Sequence, residues 1–417
     1  MNTDSNKKGV FYGWVIVFAG ILIMSTVIGI GWNCFGQFIK PVCADMGFTR
    51  QQMSANMTIL SLMQMGINFS WGYVLRHLSL RKMMRVSAIA FPVAYYCFSL
   101  AHSLPVFYAC SLVVGLTMSI LTTLSFSLIL SNWFYEKRGM AIGIAFMGTG
   151  IGGMIFNPLA ASLIENYGWR IAYKVLAVII FAATIVSVFF LIKLRPEEKG
   201  LKALGYEKAH REGGPAPEEE GQSFRELIKT ARFRAVCLCV CFATTAIGSM
   251  TQCMSPHLTD NGYSATMAAF MVSFCMAALA VGKMSLGIVY DKLGTRRSTL
   301  LSIFCGTLGI IGMVFCRVTY VLPLIVIGQC LGSSFGTVGV PIITQNLFGR
   351  KDYSSNFGFI SACSSIGGAV SPLINGAAYD RLGSYNPAFS LWVVLLVISC
   401  VVFYIVLPRE KKVSQGV

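Results

Sequence analysis

Twelve apolar segments, each about as long as a bilayer-crossing helix, are the feature that most constrains how this sequence folds. A helix needs about 20 predominantly apolar residues to cross the hydrocarbon core of a membrane. The segments are 12–39, 53–75, 83–102, 105–133, 139–164, 170–192, 234–256, 264–290, 298–316, 319–345, 354–378 and 387–407. Only 12% of the residues are charged, against about 25% in soluble domains. The sequence therefore predicts an all-α, multi-pass membrane protein with twelve transmembrane helices.

The basic residues are distributed unevenly between the loops at the two ends of these segments. Lys and Arg cluster in alternate loops, at 76–85, 137–138, 193–234, 292–297 and 350–351, whereas the opposite loops hold only Lys40, Arg50, Arg170, Lys174, Arg317 and Arg381. Cytoplasmic loops of membrane proteins carry an excess of Lys and Arg. We therefore predict a plasma-membrane protein, with the bacterial inner membrane favoured, whose termini are both cytoplasmic. The same distribution accounts for the net charge of +16, so we predict no nucleic-acid partner.

A polar stretch separates six of the segments from the other six. It contains Pro196, the Gly213-Gly214-Pro215 turn and the acidic run Glu218-Glu219-Glu220, a composition typical of a solvated linker. We predict an N-terminal six-helix bundle over 1–192, a cytoplasmic linker over 193–233 and a C-terminal six-helix bundle over 234–417.

The two sets of six segments repeat each other at a nearly constant offset. Gly72 and Gly287 lie 215 residues apart, and so do Gly143 and Gly358. A register held from the second segment to the eleventh indicates an internal duplication. Parallel six-helix repeats build a large transporter fold, in which the substrate site lies between the repeats near the middle of the membrane.

Three stretches resemble a known transporter family. Residues 287–297, GIVYDKLGTRR, match the G-x-x-x-D-(R/K)-x-G-x-(R/K)-(R/K) loop signature of the major facilitator superfamily. Residues 12–14 and 132–143 are similar to runs in the monocarboxylate-transporter and oxalate:formate-antiporter branch. The resemblance covers essentially the whole chain. It implies the major facilitator fold and transport by alternating access of the two halves.

The resemblance also implies a set of residues that control the switch between conformations. These are Gly72, Arg81, Gly287, Asp291, Gly294, Arg296 and Arg297. The first-half loop departs from the signature, since Arg76 stands where the family has Asp. A carboxylate at this place is suited to the N-terminus of a neighbouring helix, a contact worth about 0.3–1 kcal/mol when exposed. We therefore expect the second-half loop alone to make this contact, through Asp291.

Lys283 is the one ionisable side chain predicted to lie deep in a membrane segment. The acids and the histidines fall in loops, in the tails or at segment ends, so we predict no buried carboxylate or imidazole to relay protons. Ionisable residues inside a membrane are rare and usually functional. Lys283 lies roughly 10 Å from the end of its segment at about 1.5 Å per residue, and the alternative is that its long stem reaches the interface. The resemblance places the family's basic residue of the eighth segment here, and Leu279 stands where many members have Asp.

A buried ammonium without a counter-ion favours a bound anion, because burying the unpaired charge costs several kcal/mol. A single cation favours one carboxylate, and phosphate esters usually require an Arg fork. The sequence therefore predicts a secondary active transporter of a small organic anion, a monocarboxylate, by exchange or with a coupled proton. A buried lysine is able to lose its proton, which gives one route to proton coupling.

Uncharged polar residues near the middle of the segments complete the predicted substrate site. They are Asn33, Gln64, Asn68, Thr122, Gln252, Ser334, Ser361 and Ser364. For each hydroxyl, the alternative is a hydrogen bond to its own helix backbone.

Two other functions remain open at this stage. An exporter of amphipathic drugs is favoured by the 20 Met and 29 Phe residues, and a non-transporting membrane sensor or scaffold would use the linker as its output. Enzyme motifs and a P-loop are absent from the sequence, so we predict no enzyme activity, no cofactor and no metal. The predicted partners are a small carboxylate, membrane lipid and, in the symport case, protons, and we expect a monomer.

Overall fold

The computed structural model describes residues 11–205, 223–349 and 351–408, and these residues are helical apart from short connections. The predicted acidic run of the linker and both charged tails lie outside the described residues. Each of the twelve predicted apolar segments falls on a helix. The predicted all-α class is therefore confirmed.

The first half contains helices α1 to α6. They are α1 (Tyr12–Ile23, Met24–Asn33 and Phe35–Met46), α2 (Arg50–His77), α3 (Leu80–Phe98), α4 (Leu104–Leu121 and Thr123–Trp133), α5 (Arg138–Tyr167) and α6 (Trp169–Ile185 and Val186–Leu191). A capping box fixes the start of α2. The Thr49 hydroxyl accepts a hydrogen bond from the Gln52 N–H at 3.1 Å, and the Gln52 side chain accepts one from the Thr49 N–H at 2.9 Å. Both satisfy backbone donors that the first helical turn leaves free.

The second half contains helices α7 to α12. They are α7 (Ala231–Asp260), α8 and α9 (together Ala265–Val314), α10 (Leu322–Ile327, Gly328–Gly332, Phe335–Gly339 and Val340–Phe348), α11 (Tyr353–Leu382) and α12 (Asn386–Val406). The long stretch breaks at Gly294, whose φ of 78° and ψ of 177° suit a residue without a Cβ. We therefore call residues 265–293 α8 and residues 295–314 α9.

Most of these helices have the length and composition of membrane spans. Within the described residues, nine helical stretches are long and apolar enough to cross a membrane, and one of them contains both α8 and α9. Helices α2 and α3, with 28 and 19 residues, lie outside that set. The polar side chains that α2 carries contribute to the site described below.

The two halves meet closely along two helix pairs that are related by the internal repeat. A Cβ atom added to Gly143 of α5 would lie 2.6 Å from the Lys283 carbonyl oxygen of α8. A Cβ added to Gly358 of α11 would lie 2.6 Å from the Asn68 carbonyl oxygen of α2. Glycine permits this approach because small residues let helix backbones pack closely in membranes. The α5–α8 and α2–α11 pairs therefore place Lys283 and Asn68 in equivalent positions on opposite sides of the molecule.

Candidate functional site

A cavity of about 340 Å³ lies between the two halves. Helices α1, α2, α4 and α5 of the first half and α7, α8, α10 and α11 of the second half line it. Its polar lining residues are Asn33, Ser61, Gln64, Asn68, Ser119, Thr122, Thr123, Thr149, Thr244, Thr251, Gln252, Lys283, Gln329, Ser333, Thr337, Ser361, Ser364, Ser365 and Ser371. Its apolar lining residues are Ile28, Trp32, Met118, Leu124, Ile247, Met276 and Leu279. A site shared by two repeats is well placed for a ligand that is exposed to each side of the membrane in turn.

Lys283 is the only charged side chain among the described residues that line the cavity. It is 3% exposed, and its ammonium group donates a hydrogen bond to the hydroxyl of Thr149 on α5. No Asp or Glu is among these lining residues. A buried cation with a hydroxyl as its protein partner still lacks a counter-charge, so an anion entering the cavity would supply it.

The other predicted substrate residues fall mostly around the same space. Seven of them, Asn33, Gln64, Asn68, Thr122, Gln252, Ser361 and Ser364, line the cavity. The Asn33 amide donates to the Thr149 carbonyl oxygen at 3.1 Å, and the Thr122 hydroxyl donates to the Met118 carbonyl oxygen at 2.7 Å. The structure therefore brings these seven residues together with Lys283.

Ser334 is placed differently from the other eight. It is fully buried, and its hydroxyl donates to the Cys330 carbonyl oxygen of its own helix at 2.6 Å. The adjacent Ser333 lines the cavity in its place. Wide π-helical turns at Gly328–Gly332 and Phe335–Gly339 surround this pair, and they change which side of α10 faces inward.

Several polar residues of the cavity were missed by the sequence reasoning, and two of them, Thr149 and Gln329, make hydrogen bonds that shape the site. Thr149 is the direct partner of Lys283, and it lies 215 residues before the predicted Ser364, so the repeat offset alone could have identified it. Gln329 is fully buried and exchanges hydrogen bonds of 3.0–3.2 Å with Thr251. No pattern in the sequence distinguishes Gln329 from a residue that packs inside the second half.

The predicted gating residues lie at the end of the bundle that carries Arg81, Asp291 and Arg296, which we call the basic end. Asp291 accepts a hydrogen bond of 3.0 Å from the Met140 N–H in the first turn of α5. A Cβ on Gly287 would lie 2.3 Å from the Gly139 carbonyl oxygen. At this end, the second-half signature therefore packs directly against the start of a first-half helix.

Arginines of the two signatures hold other elements near the basic end. Arg81 forms an ion pair of 2.5 Å with Glu198 of the linker. Arg296 donates to the Tyr404 carbonyl oxygen of α12 at 2.7 Å. Arg297 is exposed. The Arg81 and Arg296 contacts therefore tie the gating loops to the linker and the last helix.

The first-half loop reaches the other half through an ion pair, where the second-half loop uses a carboxylate on a backbone N–H. Arg76 is the repeat partner of Asp291, and it lies 3.4 Å from the Asp352 carboxylate. Asp352 precedes α11 with a φ of 52°, and its repeat partner Lys137 precedes α5 with a φ of 56°. The sequence predicted only that Arg76 lacks a capping contact, because the acid that faces it lies just before another helix, 276 residues away.

Gly72 of α2 makes the corresponding close contact at the basic end, against the start of α11. A Cβ on Gly72 would overlap the Ser355 hydroxyl at the start of α11. With the Asp291 contact and the α5–α8 crossing, this packing brings the two halves together at the basic end. The structure is therefore in a state that is closed at this end of the cavity.

The Asp291→Asn substitution is expected to favour opening at the basic end, whereas Arg76→Ala should change the conformational equilibrium little. Asp291 places a charge on a helix N-terminus, worth about 0.3–1 kcal/mol, and the substitution also weakens a charge-assisted hydrogen bond. The Arg76 side chain is 66% exposed, and exposed ion pairs contribute about 0–1 kcal/mol.

The measurement is the alkylation rate of a cysteine introduced by Ser131→Cys. Ser131 is 9% exposed, and its hydroxyl oxygen lies 3.3 Å from the side-chain amide of Gln345 of the other half. Mass spectrometry separates its modification from that of the 14 native cysteines. Equal alkylation rates in the Asp291→Asn and Arg76→Ala backgrounds would contradict the expected asymmetry.

Sequence comparison places the chain among transporters. A family model described as Major Facilitator Superfamily matches residues 21–346. The chain is 24% identical to human "Monocarboxylate transporter 12" over 342 residues, which is 71% of this chain and 63% of that protein. It is 21% identical to "Uncharacterized transporter ESBP6" of Saccharomyces cerevisiae, over 84% of this chain and 52% of that protein. The matches thus cover less than two thirds of both relatives.

Comparison with solved structures supports the same architecture. The proton:xylose symporter XylE, bound to 6-bromo-6-deoxy-D-glucose, gives a TM-score of 0.74 at 11% identity over 96% of both chains. The human organic anion transporter MFSD10 (TETRAN) gives 0.70 at 13% identity, over 94% of this chain and 98% of that chain. At these identities the likeness shows the fold alone. The predicted major facilitator fold is therefore confirmed.

Proposed function

Because the chain belongs to the Major Facilitator Superfamily, whose members are transporters and not enzymes, we propose that it is a secondary transporter of a small monocarboxylate. The carboxylate binds at Lys283 in the cavity between the halves. The two halves then alternate in exposing the cavity to each side of the membrane, and the positive-inside pattern assigns the basic end to the cytoplasm.

The observation that carries this proposal is the composition of the cavity wall around one cation. Lys283 is buried, faces the cavity and has a hydroxyl as its hydrogen-bond partner. No carboxylate of the described residues shares the cavity. One bound carboxylate neutralises the ammonium, whereas a second carboxylate on the same molecule would be left without a cationic partner.

The names of similar proteins are consistent with this choice of substrate. One sequence relative is named a monocarboxylate transporter, and one structural neighbour is named an organic anion transporter. Among the described residues that line it, the cavity has no acidic group to attract a cationic drug. We therefore place a small organic anion ahead of an amphipathic cation.

Reconstitution into liposomes tests the proposal. Counterflow of a labelled short-chain monocarboxylate is expected in vesicles preloaded with the same acid, and unlabelled monocarboxylates should compete better than dicarboxylates of equal length. An empty vesicle preparation is the control. Efflux of a cationic dye without carboxylate counterflow would favour a drug exporter, and the absence of any flux would favour a sensor or scaffold.

A further inference from the structure

Helices α2 and α8 are related by the internal repeat and form two walls of the cavity. These two walls differ in the chemistry of their side chains. On α2, the residues Ser61, Gln64 and Asn68 face the cavity, and their repeat partners on α8 are Met276, Leu279 and Lys283, each 215 residues later. Positions at this spacing share one face of a helix. One wall is therefore neutral and polar along its length, and the other is apolar and ends in a cation.

The polar wall on α2, which we call the α2 stripe (Ser61, Gln64 and Asn68), has hydrogen-bonding capacity that the protein leaves unused. The Ser61 hydroxyl and the Asn68 side-chain carbonyl oxygen are buried and have no hydrogen-bond partner among the described residues. Ser61 is 1% exposed and Asn68 is 7% exposed. Gln64 lies between them, half-buried on the same cavity wall. Leaving such a buried group unsatisfied costs free energy, so a partner from a ligand would recover it.

Hydrogen bonds around Ser365 identify the unused group of Asn68 as an acceptor. The Ser365 hydroxyl donates its proton to the Ser361 carbonyl oxygen at 3.2 Å. It therefore accepts from the Asn68 side-chain N–H₂ at 3.0 Å, which leaves the Asn68 carbonyl oxygen without a donor. The group that fits this wall is a hydroxyl, because a hydroxyl donates to Asn68 and also accepts from the Gln64 amide.

We propose that the cavity selects a monocarboxylate that carries a hydroxyl group on a carbon remote from its carboxylate, with the carboxylate at Lys283 and the hydroxyl on the α2 stripe. The hydrocarbon edge of the same chain then packs against Met276 and Leu279. This inference rests on the proposed function, since it takes the carboxylate at Lys283 as given. It adds a second anchoring point on the opposite half, so that one ligand contacts both halves at once.

Paired acids that differ by one hydroxyl test the inference. The probes are butanoate with 4-hydroxybutanoate, and hexanoate with 6-hydroxyhexanoate, used as competitors of counterflow in proteoliposomes. In the wild-type protein, the hydroxy acid of at least one pair is expected to inhibit at about tenfold lower concentration than the alkyl acid, since its hydroxyl satisfies a buried acceptor that is otherwise unpaired. The pair that shows the larger ratio reports the distance between the two anchoring points.

Variants of the α2 stripe show whether it is the source of the preference. In the triple variant Ser61→Ala, Gln64→Leu, Asn68→Leu, the ratio should fall to about one while inhibition by the alkyl acid is kept or improved. Gln64→Leu alone, at a half-buried position, should lower the ratio and serves as the readout if the triple variant folds poorly. Thr244→Val is the matched control, because Thr244 lines the same cavity but its hydroxyl already donates to the Val240 carbonyl oxygen at 2.8 Å.

The outcomes separate this inference from the function on which it rests. If neither member of a pair inhibits, and no other monocarboxylate does, the proposed function fails and the inference with it. If alkyl and hydroxy acids inhibit equally in the wild-type protein, the inference fails and monocarboxylate transport stands. If the preference persists in the triple variant and in Gln64→Leu, or is lost equally in Thr244→Val, the α2 stripe does not select the substrate.

Discussion

Lys283→Gln is expected to abolish carboxylate counterflow and to leave the empty protein as stable as the wild type or more stable. Lys283 is 3% exposed and shares its cavity with no carboxylate of the described residues. Replacing an unpaired buried charge by a neutral side chain of similar length removes a cost of several kcal/mol. The same change removes the group that pairs with the bound anion, so binding and stability should move in opposite directions.

Two measurements on the same preparation check this expectation. First, thermal unfolding in detergent should show no loss of stability in Lys283→Gln. Second, an added monocarboxylate should stabilise the wild type but not Lys283→Gln, because a ligand stabilises only a protein that binds it. Thr149→Val is the matched control. It removes the hydroxyl partner of the ammonium but keeps the charge, so carboxylate binding should survive. Counterflow at wild-type rates in Lys283→Gln would show that the anion does not bind here.

The sequence was sufficient to predict the positions of the helices. Segment length and apolarity locate the helices, because a bilayer requires both. The repeat offset then relates Lys283 to Asn68, and the structure places both residues where two helices of opposite halves cross through glycines. Such crossings leave a pattern in the sequence because close backbone approach requires small residues.

Contacts that depend on the rotation of a helix could not be predicted in the same way. Ser334 and Ser333 differ by one position, which turns a side chain by about 100° at 3.6 residues per turn. The π-helical turns of α10 shift the inward face, so a regular helical period selects the wrong neighbour. The contact between Arg76 and Asp352 likewise depends on how α2 packs against α11, and no local sequence pattern predicts that packing.

The coupling mechanism depends on what happens to Lys283 when the carrier is empty. The two halves must close around the cavity before it opens to the other side, and an unpaired ammonium is costly in that closed space. Leu279, one helical turn from Lys283, lines the same wall with a hydrocarbon side chain, so no neighbouring acid is placed there to neutralise the charge or to take its proton. Return of the empty carrier is therefore expected to be slower than return of the carrier loaded with an anion.

This difference predicts anion exchange as the main mode of transport. In proteoliposomes, counterflow of a labelled monocarboxylate should be several-fold faster than net uptake into vesicles that lack internal substrate, and an inward proton gradient should change net uptake little. Physically, the bound carboxylate neutralises the ammonium during both reorientation steps of an exchange cycle, whereas net uptake requires one step with the charge unpaired. Thr149→Val, which keeps the cation, should retain the preference for exchange. The contrary result would be strong accumulation of the anion driven by the proton gradient and lost in Lys283→Gln. It would show that Lys283 releases its proton when the cavity is empty. The mechanism would then be symport of the anion with a proton.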